Sequence, residues 1–178
     1  MAWKADLGKS MDVFNRLIKP VLQDVMGGEY IPIEGSPEEI AQMLDKRIGI
    51  DVMIDRGNTI FGLGSRIQID TGVWNSFTIR CERESGHITE LDKLRKAIKC
   101  DSMRPQITMH AYVEKGVLKS LGLARTKDII RYIDTHDKEC PLRRSFDGEK
   151  WAQFKVAYWD KMKAAGFSVK VLDYRCAA

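Results

Sequence analysis

Cysteine is scarce and scattered. Cys81, Cys100, Cys140 and Cys176 include no CxxC pair, which argues against a zinc knuckle and against a disulfide-knit scaffold. Histidine is scarcer still, with three residues far apart, so a histidine-rich metal site is not expected. No apolar run nears the roughly 18 residues that cross a bilayer. The opening MAWKADLGKSMDVFNRL mixes early charge with an amphipathic pattern, unlike a leader's charged patch and apolar block. Internal repeats, low-complexity tracts, GxSxG, P-loop and dinucleotide fingerprints are all missing. GLGSRI is a glycine pair inside a strand pattern and lacks the spacing of a phosphate loop. These absences lead to the expectation of a reduced, cytoplasmic protein.

What is present suits one folded domain. The chain has 178 residues, 44% of them hydrophobic, enough to build a real core. Charged residues make up 30%, with a net charge of +4, so an anionic partner is permitted and not required.

Residues 10–26, SMDVFNRLIKPVLQDVM, set Val13, Leu17, Val21 and Val25 on one helical face, with a kink or a break expected at Pro20. In EGSPEEIAQMLDKR, Ser36 suits an N-cap, Pro37 the first helical position and Glu39 the back-bonding partner, predicting a helix near 37–46. Strands are expected near 48–55, 59–70 and 76–83, then a helix capped by Thr89 over TELDKLRKAIKC. A fourth strand is expected near 106–113 and a helix from Thr126 through DIIRYID. THDKECPLRRSFDG reads as a loop, EKWAQFKVAYWDKMKAA as a helix ending at Gly166, and FSVKVLDY as a last strand. The order predicts an α/β fold, a mixed central sheet flanked by helices.

The hairpin over 48–70 is the most informative stretch. With Gly57-Asn58 as a two-residue turn, Ile54 faces Phe61, Val52 faces Leu63, Ile50 faces Ser65 and Ile48 faces Ile67, giving an apolar face. The other face carries Asp51 across from Gly64, with Gly62, Arg66 and Gln68 beside it. Interior strand glycines often mark a close approach by a ligand or another backbone. In SFTIRCER, Phe77, Ile79 and Cys81 are expected in the core, with Thr78, Arg80 and Glu82 sharing the polar face. An acid beside open space with arginines nearby reads either as a site or as an ordinary cross-strand ion pair between Asp51 and Arg66.

Over residues 36–83 this pattern resembles the PD-(D/E)XK nuclease superfamily, the fold of many restriction enzymes and Holliday-junction resolvases. The resemblance implies a restriction-endonuclease-like core over about 36–135, with a helix and strand at 148–174 packed on it in a single 1–178 domain. It implies Mg²⁺ or Mn²⁺ held by Asp51 and Glu39, and hydrolysis of DNA phosphodiesters. Arg66-Ile67-Gln68 stands where the family has acid-x-Lys. Gln68 is a known replacement for the lysine, whereas Arg66 is not a metal ligand. Asp51, Gln68 and Arg66 are the implied catalytic group, with Arg80, Gly62 and Gly64 at the substrate. RIQ followed by FTIR also resembles small phage and mobile-element proteins.

Three functions remain open. The first is a metal-dependent nuclease, and the second is a non-catalytic DNA-binding or protein-interaction module on the same scaffold. The third is an enzyme for a small anionic substrate. DNA is the expected partner ahead of RNA; a homodimer is allowed and a membrane is not expected. Lys138, Arg143, Arg144, Lys150, Lys155, Lys161 and Lys163 offer a further basic surface, and Asp147, Glu149 and Asp160 among them favour a solvated helix face. Trp151, Phe154, Tyr158 and Met162 form a helical core stripe, which leaves Trp159 as the expected exposed aromatic. His87, next to a Ser-Gly turn, reads as a surface histidine.

Overall fold

The chain opens with two helices, α1 (Ala2–Val13) and α2 (Lys19–Met26), joined by a π-helical turn over Phe14–Ile18. This computed structural model describes residues 2–33, 38–146 and 150–175. Pro20 sits in the first turn of α2, where its fixed φ suits the helix. The helix ahead of it widens, and the Lys19 N–H reaches back to the Phe14 carbonyl. The break expected at Pro20 is therefore a change of helical pitch. Leu17, Val21 and Val25 pack at the edge of the core, while Phe14, Ile18 and Leu22 lie deeper.

Next come β1 (Glu29–Pro32), α3 (Glu39–Met43), and a π-turn over Leu44–Ile48. Ser36 and Pro37 lie outside the described residues. The hairpin is β2 (Val52–Asp55) with β3 (Ile60–Ile69). Its register matches the alternation: Ile54 opposes Phe61 and Val52 opposes Leu63. Gly57 supplies a φ of 79° at the turn, and the Arg56 N–H closes it onto the Thr59 carbonyl. The first strand begins at Val52 rather than 48, because Leu44–Ile48 is still helical.

The rest of the chain is β4 (Ser76–Arg83), α4 (Glu90–Lys99), β5 (Ile107–Glu114), β6 (Val117–Arg125), α5 (Thr126–Thr135), β7 (Leu142–Phe146), β8 (Trp151–Tyr158), α6 (Trp159–Ala164) and β9 (Val169–Asp173). Thr89 caps α4 as the sequence predicts, and Asp92 completes a reciprocal capping box with it. The main sheet runs β1-β2-β3-β5-β6-β9, antiparallel except for the β3–β5 pair. β4 leaves that sheet and forms a second one, ordered β4-β8-β7. The fold is thus mixed α/β, with two sheets where one was expected. β4 lies opposite the hairpin rather than beside it.

Three further differences have physical causes. β1 and β6 were not foreseen; β6 is buried along most of its length and shows no polar alternation to reveal it. LRRSF, read as loop, is a fully exposed edge strand with no buried face to pattern it. The helix expected from residue 149 is β8 up to Tyr158. Ala152, Phe154, Val156 and Tyr158 face the cleft described below while Ala157 enters the core, a period of two. The helical spacing of Trp151, Phe154 and Tyr158 is a coincidence of composition.

The main sheet divides two cores. On one side α1 and α2 cover Val52, Ile54, Leu63 and Met109. On the other, α4, α5, α6 and the second sheet enclose Phe77, Ile79, Tyr112, Ile133 and Ala157. Trp159, expected at the surface, is 2% exposed and lies between Phe77 and Tyr112, with ring centroids 5.7 and 5.8 Å away. A Cβ on Gly122 would fall 2.4 Å from its ring, so glycine there makes room for the indole.

Candidate functional site

The face of β3 that carries Gly64, Arg66 and Gln68 looks across a cleft at the second sheet. Asp51 stands at its end, just ahead of β2. Its N–H donates to the Leu63 carbonyl at 3.0 Å, and its Oδ2 accepts the Ser65 N–H at 2.5 Å. The sequence thus places Asp51 beside Gly64 correctly. The two glycines differ in role. At Gly64 a Cβ would touch Gly49 O and Pro105 at 3.4 Å, so Gly64 is part of a close-fitting cleft floor. At Gly62 a Cβ would lie 2.7 Å from Ile50 Cδ1, so that glycine is a packing position and not a substrate contact.

Arg66 is the centre of the arrangement. Its guanidinium lies 4.5 Å from the Phe154 ring centroid and donates to the Thr78 carbonyl at 3.3 Å. Burial lowers its pKa, and the nearby Glu90 and Tyr112 oppose that shift. Arginine stays charged under such conditions. Among the described residues no carboxylate stands within ion-pair distance of it. Of the two readings left open, the Asp51–Arg66 ion pair is not formed: the cation stacks on an aromatic ring and the carboxylate accepts a backbone N–H.

Arg80 and Thr78 reach the cleft from β4, on the opposing sheet. The Arg80 guanidinium lies 5.4 Å from the centroid of the same Phe154 ring, and its backbone N–H donates to Glu90 Oε2 at 3.4 Å. Thr78 Oγ1 and Arg83 Nε are buried without a hydrogen-bond partner among the described residues. Polar atoms in that state are costly unless something else satisfies them.

Three hollows share these walls. The first has a volume of about 410 Å³ and runs from Arg66 and Gln68 past Trp74 to Arg143 and Arg144, with Phe154 and Tyr158. Three arginines and no carboxylate line it. The second shares Phe154 and Ser145 with it and adds Arg80, Arg83, Lys150 and Trp151. The third shares Arg66 and Thr78 with the first and holds Asp51 and Gly64. Exposed His87 lines the second hollow. Arg143 and Arg144 sit over the rings of Trp74 and Trp151 at 6.0 and 4.4 Å. Their place beside Arg66 was hidden in the sequence, because it depends on β7 pairing with β8. Lys155 is elsewhere engaged, 2.5 Å from Asp137.

His110, the neighbour of Arg66 in the β3–β5 register, was not singled out by sequence. It is fully buried, with Nδ1 2.6 Å from the Ser76 carbonyl oxygen. Burial first, and the Arg66 cation second, push its pKa down to about 3 against the Ser76 bond. The neutral ring therefore carries its proton on Nδ1, since a carbonyl only accepts.

The resemblance implies a divalent metal at Asp51 and Glu39, and the donor set does not fit one. Glu39 is exposed at the start of α3 and does not line the cleft. Arg66 occupies the strand position of the second acid. Among the described residues no group of three or more His, Cys, Asp or Glu side chains is arranged to hold a metal ion. Hard divalent ions need several oxygen ligands. Also among the described residues, no helix is long and apolar enough to cross a membrane. Comparison of the chain with family models, curated proteins and solved structures finds no match.

Proposed function

We infer that this protein binds nucleic acid through the arginine–aromatic cleft between its two sheets, on a restriction-endonuclease-like scaffold whose acidic site has been replaced. The observation that carries the reading is Arg66. It is a half-buried guanidinium without an ion pair among the described residues, in a hollow lined by three arginines and no carboxylate. A partly desolvated cation of this kind is stabilised by an anion, and a phosphate takes two guanidinium bonds at once. The three adjoining hollows favour a polymer over a single small anion, because shared residues join them and Arg80, Arg83 and Lys150 extend the cationic lining beyond the first, although Glu84 lies in the second and Asp45, Asp51 and Glu90 in the third. Without a fitting metal site, the reading is of binding rather than of phosphodiester cleavage.

The test is the salt dependence of DNA binding. Fluorescence anisotropy with labelled duplex and single-stranded oligonucleotides, from about 50 to 200 mM salt, should show affinity falling steeply with salt. Replacing both Arg143 and Arg144 with Gln should lower the log–log slope by about 2, since each lost phosphate contact removes about 1. Salt-insensitive binding, or binding of free mononucleotides and inorganic phosphate with none of either polymer, would move the assignment to a small-anion site.

A further inference from the structure

The first hollow has a feature that phosphate binding alone does not need. Trp74 is 53% exposed, and its indole is fixed rather than loose: Nε1 donates to the Thr71 carbonyl at 3.2 Å. The loop that presents it, residues 70–75, is tied at both ends. Asp70 Oδ1 accepts the Lys115 N–H at 2.8 Å, and Asn75 Oδ1 accepts from Ser120 Oγ at 2.8 Å. Asp70 and Asn75 hold φ values of 55° and 46°, a backbone state that costs energy for residues other than glycine. The fold thus maintains a strained, anchored loop that holds an indole at the mouth of a basic hollow.

The side chains around it are chemically mixed. Arg143 approaches the indole, Tyr158 and Phe154 add aromatic surface, and Gln68, Thr71 and Thr78 add hydrogen-bonding groups. At about 410 Å³ the hollow is within the range of small-molecule sites, about 300–1,000 Å³. A planar, polar-edged group with an adjoining phosphate matches this lining. In a duplex the base faces are stacked and the edges paired, so such a group is offered only by an unpaired nucleotide.

Resting on the nucleic-acid reading above, we propose that the Trp74 hollow receives an unpaired base of a single-stranded segment, stacked on the indole, while Arg66, Arg143 and Arg144 hold the flanking phosphates. The protein then prefers single strands, or duplexes with unpaired positions, over continuous duplex.

The test compares one labelled sequence as single-stranded DNA, single-stranded RNA, continuous duplex and duplex with an unpaired bulge, against the wild-type chain, Trp74→Ala and Trp74→Phe. Trp74 is half exposed, so the variants should keep the wild-type circular dichroism and melting profile. The expected result is tighter binding of either single strand and of the bulge than of the duplex. Trp74→Ala should weaken single-strand binding about 10-fold or more, Trp74→Phe should retain most of it, and duplex binding should change little. If continuous duplex binds as well as the single strands, or Trp74→Ala weakens all ligands equally, the base pocket is refuted while the nucleic-acid reading stands. If no polymer binds, both fall together.

Discussion

Lowering the pH should destabilise this protein through one buried side chain, His110. It sits between β3 and β6 in the main sheet, next to the Arg66 cation, with Phe77 and Tyr112 rings 5.9 and 6.1 Å away. Its pKa is about 3 in the fold, against 6.5 for an ordinary histidine. Between those values the unfolded chain takes up a proton that the folded chain refuses. His110 therefore contributes its full share of stability above about pH 6.5 and loses it as pH falls toward 3. The loss is about 1.4 kcal/mol per pH unit, hence about 2.5 kcal/mol between pH 6 and pH 4. Asp137 and Asp173, both held low by their partners Lys155 and Arg175, also lose stability toward the acid end of that range, where the unfolded chain takes up protons that the folded carboxylates resist. A second chain, His110→Gln, removes their contribution by difference: its amide can donate to the Ser76 carbonyl and does not titrate. Urea denaturation of both proteins from pH 4 to 8 is the assay. The stability of wild type minus that of the variant should be flat above pH 7 and fall by about 2.5 kcal/mol from pH 6 to pH 4. A difference independent of pH would refute the neutral, enclosed imidazole and with it the proton on Nδ1.

Gly122→Ala should destabilise the fold by about 1–3 kcal/mol or more, because the new methyl meets the Trp159 ring at 2.4 Å; a unchanged urea midpoint would mean that α6 packs loosely on β6. Thr89→Ala breaks the capping box of α4 and should cost about 1 kcal/mol by the same measurement. Asp51→Asn should cost about 1–2 kcal/mol by weakening the charge-assisted bond from Ser65. Millimolar Mg²⁺ should leave the melting temperature of wild type and Asp51→Asn alike; a rise of several degrees in wild type only would restore the metal site that the resemblance implies.

The hairpin was legible because two local signals agree on it. A Gly-Asn turn fixes the pairing, and the period of two then puts Val52, Ile54, Phe61 and Leu63 on one face. The same alternation marked Asp51, Arg66 and Gln68 as the polar set, and Asp51 does stand beside Gly64. What failed did so where local pattern carries no information about topology. Nothing within SFTIRCER says that β4 pairs with β8 rather than β3. Nothing within LRRSF marks a strand, since an exposed edge has no apolar face to repeat. VLKSLGLAR hides a strand buried on both faces, and WAQFKVAY imitates a helix because its aromatic residues fall three and four apart.

Those misses also explain why the cleft could not be read in advance. Arg66 and Gln68 come from the main sheet, Thr78 and Arg80 from β4, Phe154 from β8, and Arg143 and Arg144 from β7. These elements span most of the chain and meet only because β4 crosses out of the main sheet between β3 and β5. That crossing changes what Arg66 means. On a single sheet with Asp51 diagonal to it, an arginine is half of a surface ion pair, worth about 0–1 kcal/mol. Under a second sheet it becomes a half-buried cation facing Phe154, and Asp51 accepts the Ser65 N–H. A guanidinium kept in that position, with no ion-paired carboxylate among the described residues, is costly to the fold in isolation. An anionic ligand would offset that cost, and this is the ground on which we propose phosphate at this arginine.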